Sequence, residues 1–338
     1  MRIIVIRNVF LFIFITVLLY KMFVSEVFIK GNFDTLVTGG AGFIGHHVLM
    51  KIPNAVGIDS FNNYYDVSLK YKRAKISGRV IEGNVCDMRL MKRIINKYNI
   101  KKVIHLAAQA GVRYSLENPQ AYVKSNVECF VQLLEVLKNT NIPLIYASSS
   151  SVYGKNTKIP FTETDPVIQP ASLYAATKRE NELLAHVYHN LYKQKSIGLR
   201  FFTVYGPMGR PDMAYFSFTK NILERKAIDV YNYGKVSRDF TYIDDIVNGI
   251  FGCTKINFTY EIMNLGRGQP YTVGNFIEII ENVTGVLAIQ KMEPMAKGDV
   301  LITYANISKA NRLIDYNPQV TLEEGIRKFV KWYKNEYY

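Results

Sequence analysis

Residues 35–45 read Thr35-Leu36-Val37-Thr38-Gly39-Gly40-Ala41-Gly42-Phe43-Ile44-Gly45. The first four residues predict a short buried strand, and a helical pattern runs from Phe43 to Met50. In such a stretch one glycine permits a tight turn, one lets the backbone approach a pyrophosphate, and one lets the helix pack closely on the strand. The helix N-terminus also offers free N–H groups to phosphate oxygens. The stretch therefore predicts a dinucleotide-binding turn formed by Gly39, Gly42 and Gly45.

An acidic residue follows this turn at the expected distance. Asp59 ends a strand predicted from Ala55, 20 residues after Gly39, where a carboxylate binds the adenosine ribose hydroxyls. The next residues, Ser60-Phe61-Asn62-Asn63, contain no arginine that would receive a 2′-phosphate. NAD is therefore the predicted cofactor in preference to NADP. A glycine-rich turn with a capping aspartate is the alternative.

Strands and helices alternate as far as about Gly206. Further strands are predicted at 103–106, 144–147 and 197–200, and helices around 88–98, 126–137 and 173–192. Short apolar strands separated by helices are typical of a parallel sheet that is covered on both faces. The predicted fold is therefore α/β, with a Rossmann-type doubly wound parallel sheet.

The alternation loosens after Gly206, where prolines and glycines interrupt it. Mixed helices and short strands follow, with a last helical pattern from Leu322 to Tyr333. We expect an NAD-binding domain over residues 33–205 that also holds the catalytic residues. We expect a smaller mixed α/β lobe over residues 206–338 that binds substrate and is partly interleaved with the first domain.

The first thirty residues have a different character from the rest. Arg2 and Arg7 precede an apolar run from Val9 to Tyr20, and after Lys21 the apolar pattern resumes as far as Val24. Positive residues before such a run favour an uncleaved signal anchor. Residues 1–30 are therefore predicted to anchor the protein, in the Golgi or ER membrane of a eukaryotic cell, with membrane contact through residues 9–24. A cleaved signal peptide, or an apolar N-terminal strand of a cytoplasmic protein, is the alternative.

Composition excludes several classes of protein. Hydrophobic residues make up 49% and charged residues 21%, which is ordinary for a globular chain and excludes disorder. The net charge of +14 is spread along the chain, without a nucleic-acid-binding motif, so an acidic small substrate is favoured over nucleic acid. The three cysteines are too few for a disulfide framework and lack metal-ligand spacing. We expect buried or idle thiols and no metal.

Tyr174 and Lys178 are spaced to share one face of a helix. A free tyrosine has a pKa near 10 and is a poor base at neutral pH. A neighbouring ammonium stabilises the phenolate and lowers that pKa, which makes the tyrosine a usable acid–base group. The pair predicts an acid–base site, although such a spacing also occurs by chance on protein surfaces.

A run of four serines, Ser148–Ser151, follows the predicted strand at 144–147. The carboxyl ends of parallel strands are where such sheets hold their ligands. A hydroxyl there can share a hydrogen bond with a reacting hydroxyl of the substrate. A flexible linker is the alternative, but an apolar strand leads directly into this run.

Several longer strings carry a more specific signal than either motif. They occupy residues 106–115, 148–154, 200–207, 209–213 and 238–245. With the features above, they resemble the extended short-chain dehydrogenase/reductase family of nucleotide-sugar epimerases and dehydratases, and within it the UDP-glucuronate 4-epimerase branch. The resemblance covers the chain from Thr35 to Tyr333. It implies NAD-dependent interconversion of UDP-glucuronic acid and UDP-galacturonic acid, and a homodimer formed through a helix bundle.

The resemblance also implies roles for single residues. It implies catalysis by Ser149, by Tyr174 as the base, and by Lys178, which also binds the nicotinamide ribose. The residues that it implies for cofactor binding are Gly39, Gly42, Phe43, Ile44, Gly45, Asp59, Leu106, Ala107, Ala108, Asn126, Tyr174 and Lys178. The residues that it implies for substrate binding are Arg113, Ser149, Ser150, Ser151, Thr203, Arg210, Arg238 and Asp299.

Within the substrate set, the resemblance implies distinct tasks. Arg238 grips the diphosphate, and Asp299 lies in a motif on the uridine side. Arg210, Thr203, Ser150 and Ser151 hold the sugar carboxylate, with Arg113 as an additional cation. An arginine suits this task because its planar fork can hold a carboxylate through two hydrogen bonds.

The chain departs from the family pattern near both ends of the nucleotide. Asn84 stands where many relatives have an aspartate near the adenine. Ala296 stands where some have a second phosphate-binding arginine, so the grip on UDP rests more on Arg238, with Lys297 as a candidate helper.

The loop at Ser150-Ser151 separates the possible activities. Related dehydratases carry Asp-Glu in this loop, and UDP-glucuronate decarboxylases carry a glutamate, so two serines favour epimerisation. The alternatives are a UDP-glucuronate decarboxylase, a 4-epimerase of neutral UDP-hexoses, in which Arg210 would have no carboxylate to hold, and an inactive dinucleotide-binding scaffold.

Overall fold

A parallel sheet of seven strands forms the centre of the fold, which confirms the predicted class. The computed structural model describes residues 28–295 and 300–337. The strands of this sheet are β1 (Thr35–Thr38), β2 (Ala55–Asp59), β3 (Val80–Glu82), β4 (Lys102–His105), β5 (Leu144–Ser149), β6 (Ser196–Phe201) and β10 (Tyr260–Leu265). Their order is β10-β6-β5-β4-β1-β2-β3. From β1 the sheet is extended on one side by β2 and β3 and on the other side by β4, β5 and β6. The switch point in strand order therefore lies between β1 and β4. Open sheets bind ligands in the crevice at such a point.

Helices flank the sheet, and every residue of β1, β2 and β6 is buried, as expected for strands covered on both faces. The helices are α1 (Phe43–Lys51), α2 (Val67–Ser77), α3 (Met88–Tyr98), α4 (Tyr114–Glu117), α5 (Pro119–Tyr122), α6 (Cys129–Leu137), α7 (Leu173–Tyr192), α8 (Ala214–Leu223), α9 (Ile243–Cys253), α10 (Val273–Thr284), α11 (Ser308–Ile314) and α12 (Leu322–Trp332). Turns of 3₁₀-helix occupy Ser150–Tyr153 and Asn232–Gly234, and turns of π-helix occupy Val123–Glu128 and Tyr333–Tyr337.

The boundaries predicted for α3 and α7 match the structure because side chains cap both N-termini. Asp87 accepts hydrogen bonds from the amides of Arg89 and Leu90 before α3, and Ser172 accepts one from Ala175 at the start of α7. The helix predicted from residue 126 begins differently. Its first turn is π-helical and the α-helix starts only at Cys129.

The remaining strands form two smaller sheets. They are β7 (Thr203–Tyr205), β8 (Ala227–Tyr231), β9 (Ser237–Tyr242), β11 (Pro270–Thr272), β12 (Ile289–Glu293) and β13 (Ile302–Thr303). Strand β9 pairs with β7, β11 and β13, and β8 pairs with β12. Because β10 returns from this part of the chain to pair with β6 in the central sheet, the segments before and after residue 206 are interleaved. Residues 32–338 form one unit, and the division at 206 stays a prediction.

Two cysteines depart from the expectation of idle thiols. Cys86, in the loop after β3, and Cys129, at the start of α6, are joined in a disulfide although 43 residues separate them. Cys253 is free and buried. The spacing of the cysteines could not reveal this pair, because it is the packing of α6 beside the β3 loop that brings the two together.

The predicted anchor falls almost wholly on residues 1–27, which lie outside the described part of the chain. Among the residues that the structure does describe, no helix is both long enough and apolar enough to cross a bilayer.

Candidate functional site

One cavity of about 720 Å³ lies over the carboxyl ends of the central strands. Residues that the sequence assigns to a cofactor, to catalysis and to a substrate all line it. Those placed in its wall are Gly39, Gly42, Phe43, Ile44, Gly45, Asp59, Leu106, Ala107, Ala108, Ser149, Ser150, Ser151, Tyr174, Lys178, Thr203, Arg210 and Arg238. The structure therefore brings most of the predicted site together in one space.

The glycine-rich turn is packed too tightly for side chains. Gly39 has φ +71°, and a Cβ there would lie 2.8 Å from the amide nitrogen of Ala107. A Cβ on Gly45 would lie 2.0 Å from the Gly39 carbonyl oxygen. Gly42 precedes α1 without a capping side chain, so the first amides of α1 stay available to a ligand. This narrow cradle fits the pyrophosphate of a dinucleotide.

Asp59 is held in place by the backbone around it. One carboxylate oxygen accepts a hydrogen bond from the Ala41 amide at 3.1 Å, and the other accepts one from the Phe61 amide at 2.9 Å. Since each carboxylate oxygen has more than one acceptor site, the group keeps capacity for hydroxyl donors. Its position at the end of β2 and in the cavity wall fits recognition of a ribose.

Asn126, which is predicted to support the cofactor and substrate region, lies behind the cavity wall. It lies in the π-helical turn, and the cavity wall does not include it. Its side chain bonds to both backbone groups of Gln109, accepting from the amide at 2.7 Å and donating to the carbonyl oxygen at 2.9 Å. It also donates to Thr177 on α7. Asn126 therefore fixes the loop after β4, which forms the wall, against the helix that carries Tyr174.

Ser149 and Tyr174 line the cavity and lie within hydrogen-bonding reach of each other. Burial raises the pKa of Tyr174, while a hydrogen bond from Ser149 and the charge of Arg210 act to lower it. The Ser149 hydroxyl also lies 3.1 Å from the Ser151 hydroxyl, which is an alternative partner for its single proton. This hydroxyl pair fits a proton transfer between Tyr174 and a substrate hydroxyl.

Lys178 lies one turn further along α7 and faces the sheet. Its Nζ donates to the Ala147 carbonyl oxygen of β5 at 2.9 Å, and burial lowers its pKa to about 8. The sequence predicts that Lys178 lowers the pKa of Tyr174. In this arrangement Ser149 and Arg210 exert that effect, and Lys178 ties α7 to β5 at the cavity wall.

Arg210 reaches the cavity as one half of an ion pair. Its Nε donates to Oδ1 of Asp212 at 3.0 Å, and its Nη2 donates to Oδ2. Tyr64 also donates to Oδ2 of Asp212, at 3.1 Å. Burial would raise the pKa of Asp212, but the Arg210 guanidinium outweighs it and keeps that pKa below its ordinary value. Asp212 therefore stays charged and orients the guanidinium.

Tyr64 and Asp212 are site residues that were not predicted from the sequence. The signal for Asp212 was its position two residues after Arg210 in the same loop. Tyr64 had no local signal, since 148 positions separate it from Asp212.

The three remaining charged residues predicted to bind substrate differ in their position relative to the cavity. Arg238 lines the cavity and donates to the Val300 carbonyl oxygen at 2.8 Å. Arg113 packs over the ring of Tyr231 at 4.4 Å, and the cavity wall does not include it. Its predicted contact with a carboxylate therefore has no support from its position. Asp299 lies, with Ala296 and Lys297, outside the described residues.

The histidines do not gather into a metal site. Within residues 28–295 and 300–337, no cluster of three or more His, Cys, Asp or Glu residues is arranged to hold an ion. The ring of His105 on β4 instead shares a hydrogen bond of 2.8 Å with the Thr38 hydroxyl on β1.

Comparison with known proteins gives a consistent result. Residues 35–266 match the model of the NAD dependent epimerase/dehydratase family. An uncharacterized protein of Methanocaldococcus jannaschii is 51% identical over 89% of this chain and 96% of its own length. UDP-glucuronate 4-epimerase 2 of Arabidopsis thaliana is 46% identical over 93% of this chain and 78% of its own length. The crystal structure of UDP-glucuronic acid 4-epimerase from Bacillus cereus, in complex with UDP-glucuronic acid and NAD, superposes with a TM-score of 0.85 at 34% identity, covering 90% of this chain and 99% of that one.

The low pKa of Lys178 predicts a specific pH dependence of stability. An unfolded lysine titrates near 10.4, so between pH 8 and 10 the unfolded chain binds more protons than the folded one, and the free energy of unfolding rises with pH. We expect the wild-type chain to gain up to about 1.4 kcal/mol per pH unit relative to Lys178→Met in this range. Denaturant unfolding of both chains, without added nucleotide, at pH 7.5 and pH 9.5 measures it. A difference that does not change with pH would contradict the prediction.

Proposed function

The chain belongs to the NAD dependent epimerase/dehydratase family, and from that premise we propose that it interconverts UDP-glucuronic acid and UDP-galacturonic acid by inverting C4 of the sugar. One observation carries the proposal. A single cavity joins a dinucleotide cradle, the Ser149–Tyr174 hydroxyl pair and an oriented arginine, Arg210, beside two neutral serines, Ser150 and Ser151. A nucleotide sugar with an acidic group fits each of these parts.

The residues around Tyr174 supply the acid–base chemistry. Tyr174, in its phenolate form, takes the proton of the C4 hydroxyl, and Ser149 shares the hydrogen bond with that oxygen. When bound, NAD takes up the C4 hydride and later returns it. After the 4-keto sugar has turned over, the hydride enters from the opposite face and Tyr174 gives its proton back. The C4 configuration is then inverted, and no net oxidation occurs.

The acidic end of the sugar needs restraint while C4 is a ketone. A 4-keto uronic acid is a β-keto acid, which loses CO₂ readily when its carboxylate stands perpendicular to the carbonyl. Arg210 offers a planar fork, and Ser150, Ser151 and Thr203 add hydroxyls in the same part of the cavity. Residues 150–151 offer hydroxyls where a UDP-glucuronate decarboxylase would carry a glutamate. Arg210 distinguishes an acidic sugar from a neutral hexose.

The UDP part of the substrate extends toward the C-terminal segment. Arg238 lies in the cavity wall at β9 and offers a cation to the diphosphate. We propose that residues 206–338 supply most of the contacts to UDP and that residues 33–205 hold NAD, with Asp299 on the uridine side.

Incubation of the full chain with UDP-glucuronic acid and NAD tests the proposal. We expect UDP-galacturonic acid without CO₂, detected by chromatography of the nucleotide sugars and a CO₂ assay. Arg210→Gln should lower kcat/KM about 100-fold, because it removes a charged bidentate contact to the carboxylate. It should also raise the fraction of turnovers that release CO₂.

Other products would point to other activities. UDP-xylose or a 4-keto pentose from the wild-type chain would support the decarboxylase. Turnover of UDP-glucose in place of UDP-glucuronic acid would support the epimerase of neutral hexoses. Inertness toward both substrates would support the scaffold.

We also propose that the protein is a homodimer formed through α7. This helix exposes three apolar side chains at intervals of four residues, Leu183, Val187 and Leu191, with 49%, 46% and 65% of their surfaces accessible. The spacing aligns them in one stripe along the helix. An exposed apolar stripe of this kind suits burial against a second copy.

Light scattering of the full chain tests the dimer. We expect twice the chain mass of 38.7 kDa, and a monomer for the double variant Val187→Glu/Leu191→Glu, because two buried carboxylates would face their symmetry mates. Leu287→Glu, which alters an exposed leucine outside α7, is the matched control and should stay dimeric. A monomeric wild type would exclude this interface. A dimeric double variant together with a monomeric Leu287→Glu would exclude it as well.

We further propose that residues 9–24 contact a membrane. The apolar run and its positive flanks support this. The full chain should sediment with membranes in high salt and be released by detergent, whereas a chain lacking residues 1–30 should remain in the supernatant. Equal fractionation of the two chains would leave the cytoplasmic alternative.

A further inference from the structure

Arg73 is a buried cation that the proposed chemistry does not use. It lies on α2 with 0% of its surface exposed, and it is not part of the cavity wall. Its guanidinium donates to neutral oxygens, namely the backbone carbonyls of Ala41, Met208 and Gly209 and the hydroxyl of Tyr65. Burying a charge is costly unless hydrogen bonds compensate it. Arg73 therefore depends on these four partners, and they in turn are held by it.

The carbonyl partners of Arg73 belong to two different parts of the site. Ala41 lies in the glycine-rich turn, and Nη1 donates to its oxygen at 3.1 Å. Nε and Nη2 donate to the Met208 oxygen at 3.0 and 2.6 Å, and Nη2 also reaches the Gly209 oxygen at 2.9 Å. Gly209 immediately precedes Arg210. One guanidinium thus bridges the cofactor cradle and the loop that presents Arg210.

This loop has backbone conformations that need support. Met208, which is not a glycine, has φ +57°, and Gly206 has φ +147°. A Cβ on Gly209 would lie 1.8 Å from the hydroxyl of Tyr215, to which the Arg210 amide donates. Residues in the left-handed region persist only where their surroundings hold them. Arg73 supplies that hold through the carbonyls of Met208 and Gly209, which belong to the two consecutive peptides on either side of the Gly209 Cα.

We propose that Arg73 is a positioning residue. It fixes the loop of residues 206–211 against the glycine-rich turn, so that the Arg210 guanidinium meets the carboxylate of a UDP-uronic acid in one orientation. This inference rests on the proposed function for the identity of that carboxylate. It also ties the substrate-facing arginine to the same backbone turn that cradles the dinucleotide.

Lysine is the informative replacement for Arg73. It keeps the charge, but its single ammonium lacks the planar fork that reaches both Ala41 and the Met208–Gly209 peptide. The chain also offers a matched control in Arg79. Its guanidinium likewise donates to backbone carbonyls, which lie between the last turn of α1 and the start of β2 and outside the cavity wall, namely those of Leu49, Ile52, Pro53 and Ala55.

The experiment compares Arg73→Lys with Arg79→Lys, each in the presence of Arg210 and of Arg210→Gln. Calorimetry gives Kd for UDP-glucuronic acid, UDP-glucose and UDP with the NAD-saturated full chain. We expect Arg73→Lys to weaken UDP-glucuronic acid about tenfold, because a misplaced fork loses its bidentate contact. UDP and UDP-glucose should change by less than about twofold, and the Arg73→Lys effect should disappear in the Arg210→Gln background.

Hydrogen exchange provides a readout that does not depend on the substrate. Amides of residues 206–213 should exchange faster in Arg73→Lys than in the wild type, and should be unchanged in Arg79→Lys. The inference is wrong if Arg73→Lys leaves this exchange unchanged, weakens all three ligands equally, or adds fully to Arg210→Gln. If the wild type binds UDP-glucuronic acid no better than UDP-glucose while the loop still loosens in Arg73→Lys, the proposed function fails and the hold of Arg73 on the loop stands.

Discussion

The buried ion pair between Glu182 and Arg200 is the interaction on which the catalytic geometry depends. Arg200, on β6, donates from Nε and Nη2 to the two carboxylate oxygens at 2.8 and 2.9 Å, and Ser148 on β5 donates to the same carboxylate at 2.7 Å. Burial would raise the pKa of Glu182, but Arg200 keeps it below its ordinary value. Losing one partner of such a pair costs about 3–5 kcal/mol. Because Glu182 follows Lys178 by one helical turn, its bonds to Arg200 and Ser148 hold this part of α7 against β6 and against β5, the strand that ends in Ser149.

The cations around the cavity are compensated in different ways, and the differences suit their tasks. Arg200 has a full carboxylate partner and serves the framework. Lys178 donates to the carbonyl oxygen of Ala147 and has a lowered pKa, so its charge can also serve a bound ligand. Arg73 bonds to carbonyl and hydroxyl oxygens and joins two loops. Burial and partner together, more than residue type, decide whether a cation supports the fold or meets a ligand.

Local patterns predicted the parts of this fold that depend on neighbours in sequence. The glycine spacing indicated the cradle, and the helical patterns at 88–98 and 173–192 gave the bounds of α3 and α7 to the residue. The parts that were missed depend on distant contacts. Strand β10 joins the sheet from beyond residue 206, Cys86 pairs with Cys129, and Tyr64 meets Asp212 across the cavity. No periodicity in the sequence encodes such contacts, because they arise only when the helices and strands pack together.

The pair of Arg210 and Asp212 leaves the arginine able to bind a second carboxylate. A guanidinium has five N–H donors in one plane, and these form two edges that each suit a carboxylate. Asp212 takes the edge made by Nε and one hydrogen of Nη2. The edge made by Nη1 and the other hydrogen of Nη2 is the one on which a sugar carboxylate can bind bidentately. Asp212 thus fixes the plane of the fork before substrate arrives. The negative charge of Asp212 weakens the attraction between Arg210 and any second anion. A carboxylate that is aligned with the remaining edge is therefore favoured over one that is only close to it. Such selection by orientation is what a β-keto acid requires if it is to keep its carboxylate while C4 is oxidised.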